Sequence, residues 1–381
     1  MAGDYSSRVG SWRVAPARAR TGTGGGVQDG PTVQGVRRGI HGMSRRRLGA
    51  YLPWVVAAGV VLALLFLVVG GESVLEALAT ADRPLVVATF AFGLCWLAAW
   101  SLMLRAVLGT LGVDVTVARS FLVYAGAVFA NNVTPFGQAG GEPVAALLIS
   151  KRSDARYETG LVGIASVDVL NVVPSITLVL VGVGYYATTV AVGDRLLTTV
   201  GSAVALVAAV GAAMVLAWRY RWPIVDRVSG TVGASVARFG SGRFDPDGVE
   251  ADVADRASNL FGHVEQVATD RRGLALVVGL SLAGWLFQAA ALLAALAAVG
   301  HAAPVYVVLF VIPLANLAGA TPLPGGLGGI EAAFVALLVP TTGIPAAEVT
   351  AAVLVYRGAI YWMPVLLGGG SVAASGVRTL A

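Results

Sequence analysis

Charge is what this chain has least of. Only 12% of its 381 residues are Asp, Glu, Lys or Arg, and Lys151 is the sole lysine. Soluble domains carry roughly 25% charged residues, so a soluble globular fold is excluded. Cysteine is nearly absent too. With Cys95 alone, no disulfide can form within the chain and no thiolate metal site can assemble. The three histidines, His41, His263 and His301, lie far apart in sequence, which argues against a histidine metal centre. No Walker loop, dinucleotide fingerprint, Ser/His/Asp set or metal-ligand spacing is present, and nothing calls for a cofactor.

What remains is apolar. Hydrophobic residues make up 57% of the chain, and mean hydropathy is +0.79. Runs of about 20 apolar residues recur, each long enough to cross a bilayer. The sequence therefore describes an all-α polytopic membrane protein. Its net charge of +5 comes from arginines that flank apolar runs, as positive-inside topology requires, so nucleic acid is not expected as a partner. The expected partners are the bilayer and a membrane-borne substrate, with a homo-oligomer left open.

Residues 1–47 are rich in Gly, Arg and Ser, lack hydrophobic periodicity and read as a disordered cytoplasmic tail. Met43 precedes Arg45-Arg46-Arg47 and the first apolar run, and is a candidate start; N-terminal sequencing tests it. The triple arginine is read as a topology anchor rather than a twin-arginine signal, because the run is too long for a signal core.

Loop charges order the spans. Arg37, Arg38 and Arg45–Arg47 place the N-terminus in the cytoplasm. Spans are expected at 50–70, 85–108, 159–187, 196–218, 273–299 and 347–375, the last ending near Arg378 on the cytoplasmic side. Loop 71–84, with Glu72, Glu76 and Asp82, suits the outside. Loop 219–272 has basic flanks and suits the cytoplasm, with a surface helix over 249–268.

Two further segments, 117–150 and 304–340, are apolar but broken. One contains Asn131-Asn132-Val133-Thr134-Pro135, then Gly137-Gln138 and Gly140-Gly141-Glu142. The other runs from Asn316 through Thr321-Pro322-Leu323-Pro324-Gly325-Gly326 to Gly328-Gly329-Ile330-Glu331. Non-helical backbone at membrane depth survives only where protein buries it or it lines a cavity. Both segments read as re-entrant hairpins entering from opposite faces. Units 85–187 and 273–375 then form an inverted-topology repeat within a membrane domain at 48–377, an arrangement that places a binding site between the breaks.

The few ionisable residues inside spans become the candidates for function. Glu142 and Glu331 follow glycines at half-helix starts. They either cap those helices or serve as headgroup, proton or cation sites. Free N–H groups at the same starts suit an anion such as a lipid phosphate, which would compete with the acids unless a cation intervened. Arg357 lies about 15 Å into the last span. It either pairs with a buried acid or binds phosphate through its planar fork. Asp168, with Asn171 one turn on, is either the partner of Arg357 or a coupling-ion site. Asn131, Asn132, Thr134, Gln138, Asn316 and Thr321 offer neutral polar groups at the breaks, for the freed backbone or for a headgroup. Gly140, Gly141, Gly328, Gly329 and Tyr356 complete the headgroup and phosphate set.

These motifs resemble the lysylphosphatidylglycerol synthase transmembrane-domain family, a group of flippase-like membrane proteins, over roughly residues 48–377. The marks are Thr134-Pro135 with Gly141-Glu142, the run Pro322–Glu331, and Tyr356-Arg357 with Pro364 and Gly368-Gly369. The resemblance implies a stand-alone membrane module that moves a phospholipid or lipid-linked glycan across the cytoplasmic membrane. The aminoacyl-transfer domain of the fused members is missing, so synthase activity does not carry over. Ser166-Val167-Asp168 also lacks the arginine that members often place before this acid. Two other readings stay open from the residues alone: a polyprenyl-phosphate-dependent membrane transferase, and a small-solute secondary transporter.

Overall fold

A computed structural model of the chain describes residues 59–133 (61 excepted), 138–190 (154 excepted), 271–320 and 323–374, with scattered positions between 216 and 262. The predicted tail, most of the predicted span 196–218 and most of loop 219–272 lie outside the described residues. All regular structure among the described residues is helical.

The chain begins with α1 (Leu62–Val69) and α2 (Gly71–Ala79), which meet at an angle of 88°. Gly70 turns the chain there with φ +93°. Sequence reading expected a loop over 71–84; most of it is helix instead. Glu72 and Glu76 are exposed, while Val74 is buried in the same helix, which packs on the helix that begins at Ala346. The acids that suggested a loop are one face of an amphipathic helix.

Next comes α3 (Arg83–Thr110). The Asp82 carboxylate accepts the Leu85 N–H at 3.2 Å, and Pro84 fills the first turn, where a missing N–H does no harm. Then follow α4 (Val117–Val133), α5 (Gln138–Arg152), α6 (Tyr157–Val190), α7 (Arg271–Ala298) and α8 (Val305–Asn316). Two short 3-10 turns, Leu317–Ala320 and Pro324–Gly326, lead to α9 (Gly329–Thr342). The last element starts as α10 (Ala346–Arg357), passes through a π-helical turn (Gly358–Trp362) and ends as α11 (Met363–Ala374).

Five of these segments are long and apolar enough to cross a bilayer: Arg83–Thr110, Tyr157–Thr188, Arg271–Ala298, Pro324–Thr342 and Ala346–Ala373. The bent α1–α2 pair would make a sixth. The molecule is a multi-pass membrane protein. Each broken segment contains two helices, α4 and α5 in the first and α8 and α9 in the second.

Packing follows one scheme in both halves. Helices α3 and α7 lie against each other along their length. Helix α4 packs on α5 and on α11; α8 packs on α9 and on α6. Each break-forming helix thus leans on the final span of the opposite half. Small residues permit the approach: a Cβ on Gly182 of α6 would stand 2.7 Å from the Tyr306 carbonyl of α8, and one on Gly368 of α11 would collide with the Ala125 carbonyl of α4. At the α3–α7 crossing, Trp100 stacks edge-on against Trp96 (5.4 Å), Trp285 (5.4 Å) and Tyr124 (6.4 Å). Its indole N–H donates to the Ser281 carbonyl at 3.2 Å. It joins the two hydrophobic clusters that make up the core.

Candidate functional site

The second break meets the last turn of α4. Gly325, at its tip, has φ +54°, and a Cβ there would lie 2.8 Å from the Asn132 carbonyl. Only glycine serves at this point, because a side chain would be both strained and obstructed. The Tyr361 hydroxyl donates to that same Asn132 carbonyl at 3.0 Å. Tyr361 belongs to the π-helical turn, where the wider ring lets the last span bulge toward the breaks.

Arg357 sits at the entrance of that turn and is 7% exposed. Its Nε donates to Glu331 Oε1 at 2.7 Å, and its Nη2 donates to the Gly325 carbonyl at 3.1 Å. The guanidinium carbon lies 4.5 Å from the Tyr361 ring centroid. Glu331 is 2% exposed and spends its other oxygen on the Gly328 N–H, at 2.7 Å. One carboxylate therefore caps α9 and neutralises a buried arginine. Capping, one of the two readings of Glu331, is what the structure shows, together with the ion pair to Arg357. The expectation that Asp168 pairs with Arg357 is corrected: Glu331 has that role, because Arg357 opens onto the start of α9.

In the first break the Gly141 N–H donates to Asn131 Oδ1 at 2.7 Å, so a neutral amide caps where the second break uses its acid. Glu142 is left half-buried on α5. Asp168, half-buried on α6, lies within electrostatic reach of it. Asn171 is buried and accepts a hydrogen bond from the Ser281 hydroxyl of α7.

Other predicted site residues fall differently. Tyr356 is 1% exposed, stacks on Phe334 and donates to Gln288 Oε1 at 3.1 Å, so it packs the core behind Arg357. Asn316 is exposed at the end of α8. Gly329 opens α9 beside Gly328. Thr134 and Thr321 lie outside the described residues, and Gln138 and Gly140 are described as backbone only.

Sequence reading did not single out Tyr361, Gly325 or Gln288 as site residues. Tyr361 stands four residues after Arg357, on the same helix face. Gln288 is a polar residue inside an apolar span, which is itself a signal.

The two halves are in register at a spacing of 189 positions. Glu331 lies 189 positions after Glu142, Arg357 189 after Asp168, Trp285 189 after Trp96, and Ala346, which opens α10, 189 after Tyr157, which opens α6. The same polar positions recur in both halves with different chemistry.

Comparison with known proteins agrees with this architecture. A family model described as the lysylphosphatidylglycerol synthase TM region matches residues 54–368. Two relatives from Methanothermobacter thermautotrophicus, both described as UPF0104 membrane proteins, are 26% identical over 319 residues and 25% identical over 327. Each alignment covers 82% of this chain, and 90% and 92% of the relatives. The match spans nearly all of the apolar chain, and this protein belongs to the lysylphosphatidylglycerol synthase TM region family.

Proposed function

We propose that the protein translocates a phospholipid or lipid-linked glycan across the cytoplasmic membrane, with both termini in the cytoplasm. The observation that carries this reading is the buried Glu331–Arg357 pair, beside the point where the second helix break meets the last turn of α4. An ion pair at this depth is expensive to build. It stands where two independently broken segments touch, which is where a transporter binds its substrate.

The chemistry follows from the bonds in place. The Glu331 carboxylate holds the Gly328 N–H and the Arg357 guanidinium, a donor set that also suits a phosphate oxyanion. A lipid phosphate entering between the breaks would compete with Glu331 for these donors. The displaced carboxylate would take up a proton or face a cationic group of the substrate. Release on the far side restores the pair. Acyl chains stay in lipid throughout, so only the headgroup pays for crossing.

Two further features support the reading. The contacts between elements keep the same scheme when the halves are exchanged, as an inverted repeat requires. The family match points to lipid handling through the description of the family itself.

The test is lipid scrambling in proteoliposomes with fluorescent phospholipids and polyprenyl-phosphate sugars. Wild type should move at least one class, and Glu331→Gln should lose that movement while remaining folded. Full movement in the variant would end this site assignment. No movement of any lipid by folded wild-type protein would end the translocase reading.

A further inference from the structure

Two tryptophans stand where membrane helices seldom put them. Trp96 lies thirteen residues into the 28-residue α3, and Trp285 fourteen into the 28-residue α7. At 1.5 Å per residue both are about 20 Å from the start of their helix, near the middle of the bilayer. Tryptophan in membrane proteins gathers instead at the interfaces, where its N–H meets water or headgroups.

Both indoles are buried, Trp96 at 5% exposure and Trp285 at 8%. Neither N–H has a hydrogen-bond partner among the described residues. Trp100, which stacks on both at 5.4 Å, differs: its N–H donates to the Ser281 carbonyl. The two open donors are a matched pair, because they hold equivalent positions of the two halves on helices that lie against each other. A buried donor costs free energy until something accepts from it.

The surroundings define the acceptor. Arg105 is nine positions beyond Trp96 and donates to the Val115 carbonyl, Arg272 is thirteen before Trp285, and Arg357 is held by Glu331. These bases are distant or committed, so an uncharged acceptor suits the α3–α7 seam better than an anion. Lipid is close by. Cys95 and Leu286, next along the chain to the two indoles, are exposed on the apolar surface. The seam also touches the segment that carries Arg357. A Cβ on Gly93, one turn before Trp96, would lie 3.0 Å from the Ala359 carbonyl. Gln288, one turn after Trp285, accepts the Tyr356 hydroxyl at 3.1 Å.

We propose that the indole N–H groups of Trp96 and Trp285 form a binding site for the ester carbonyls of a glycerolipid, at the middle of the membrane. A diacyl lipid carries two such carbonyls, a few bonds from its phosphate. They are uncharged and bring no donors of their own, so two lone N–H groups satisfy them. In a resting bilayer the esters lie near the interface, and they reach mid-depth only in a lipid that is crossing. That the site serves a lipid in passage therefore rests on the translocase reading. The binding of an ester stands on burial, placement and the two open donors.

Thermal unfolding of the purified full-length chain in detergent, with added lipid, tests the site. The probes are dioleoyl phosphatidylglycerol and its dialkyl ether counterpart, which differ only at the two carbonyls. The ester lipid should raise the melting temperature of wild type at least about 2 °C further than the ether lipid does. Trp96→Phe and Trp285→Phe keep an aromatic ring without the N–H, and each should shrink that difference. Trp100→Phe removes a donor that already has its acceptor, and should retain it. Equal responses of wild type to the two lipids, or a difference that survives both substitutions at Trp96 and Trp285, would overturn the proposal. If those variants do not fold, the comparison in wild type decides alone. In proteoliposomes the double variant should slow the ester lipid at least about fivefold more than it slows the ether lipid. Ester-specific binding in protein that moves no lipid keeps the site and removes the translocase; lipid movement indifferent to the esters and to both indoles does the reverse.

Discussion

Arg357 and Glu331 depend on each other, because each is the charge partner of the other in a buried site. Removing one partner leaves the other charged and buried, a loss of about 3–5 kcal/mol. Arg357→Ala and Glu331→Ala should each unfold at markedly lower temperature in detergent. The double variant should be less destabilised than the sum of the two, and strict additivity would mean that the pair is not coupled. Arg357→Lys separates charge from shape. An ammonium can still meet Glu331, but it has no planar fork to reach the Gly325 carbonyl as well. Folding should survive this change better than lipid movement does. Gly325→Ala tests the contact between the second break and α4: its Cβ would meet both Asn132 and Tyr361, so the two must part. A Gly325→Ala protein that moves lipid at the wild-type rate would show that the contact is dispensable. These residues were legible in part. An arginine deep in a span and acids after glycines are conspicuous in a chain this poor in charge. The partnership was not legible, because Asp168 and Glu331 are equally good partners on paper, and only the π-helical turn and the position of α9 choose between them.

Long apolar runs with basic flanks fix spans within a few residues, and so α3, α6, α7 and the α10–α11 element stand close to where sequence reading expected them. Short amphipathic helices are harder. In α2 two acids in nine residues resemble a loop until Val74 is seen packed beneath them. The π-helical turn leaves no trace in hydropathy, since an extra residue per turn changes direction and not composition. Interfaces between elements depend on glycines that look alike in sequence. Gly182 and Gly368 matter because carbonyls of α8 and α4 lie against them, whereas Gly184 on the same helix α6 faces open space. The prediction at this scale is a contrast: Gly182→Leu should lower the melting temperature by separating α6 from α8, and Gly184→Leu should not. Equal effects of the two would mean that α6 does not use this face against α8.

At the scale of the whole molecule, the proposed inverted arrangement draws its support from loop charges, from the recurrence at 189 positions and from a packing scheme unchanged when the halves are exchanged. Internal symmetry of this kind gives a protein two related conformations without two evolved sets of contacts, because each half can adopt the packing of the other. Here the charges break the symmetry, with the Glu331–Arg357 salt bridge in one half and Glu142 and Asp168 at the matching positions of the other. Topology is the premise that can fail on its own. In a Cys95→Ala background, single cysteines at Ser73 in the first turn of α2 and at Ser153 after α5 should react from opposite faces of sealed cells. A membrane-impermeant maleimide should label Ser73→Cys in intact cells and Ser153→Cys only after permeabilisation. A cysteine at Thr342, closing α9, should behave as the one at Ser73 does, because the second break is proposed to enter from the outside where the first enters from the cytoplasm. Labelling of the Ser153 and Thr342 cysteines from the same face would leave the two breaks parallel. The second half would then be a plain copy of the first, and the exchange of packing on which the proposed translocation depends would be lost.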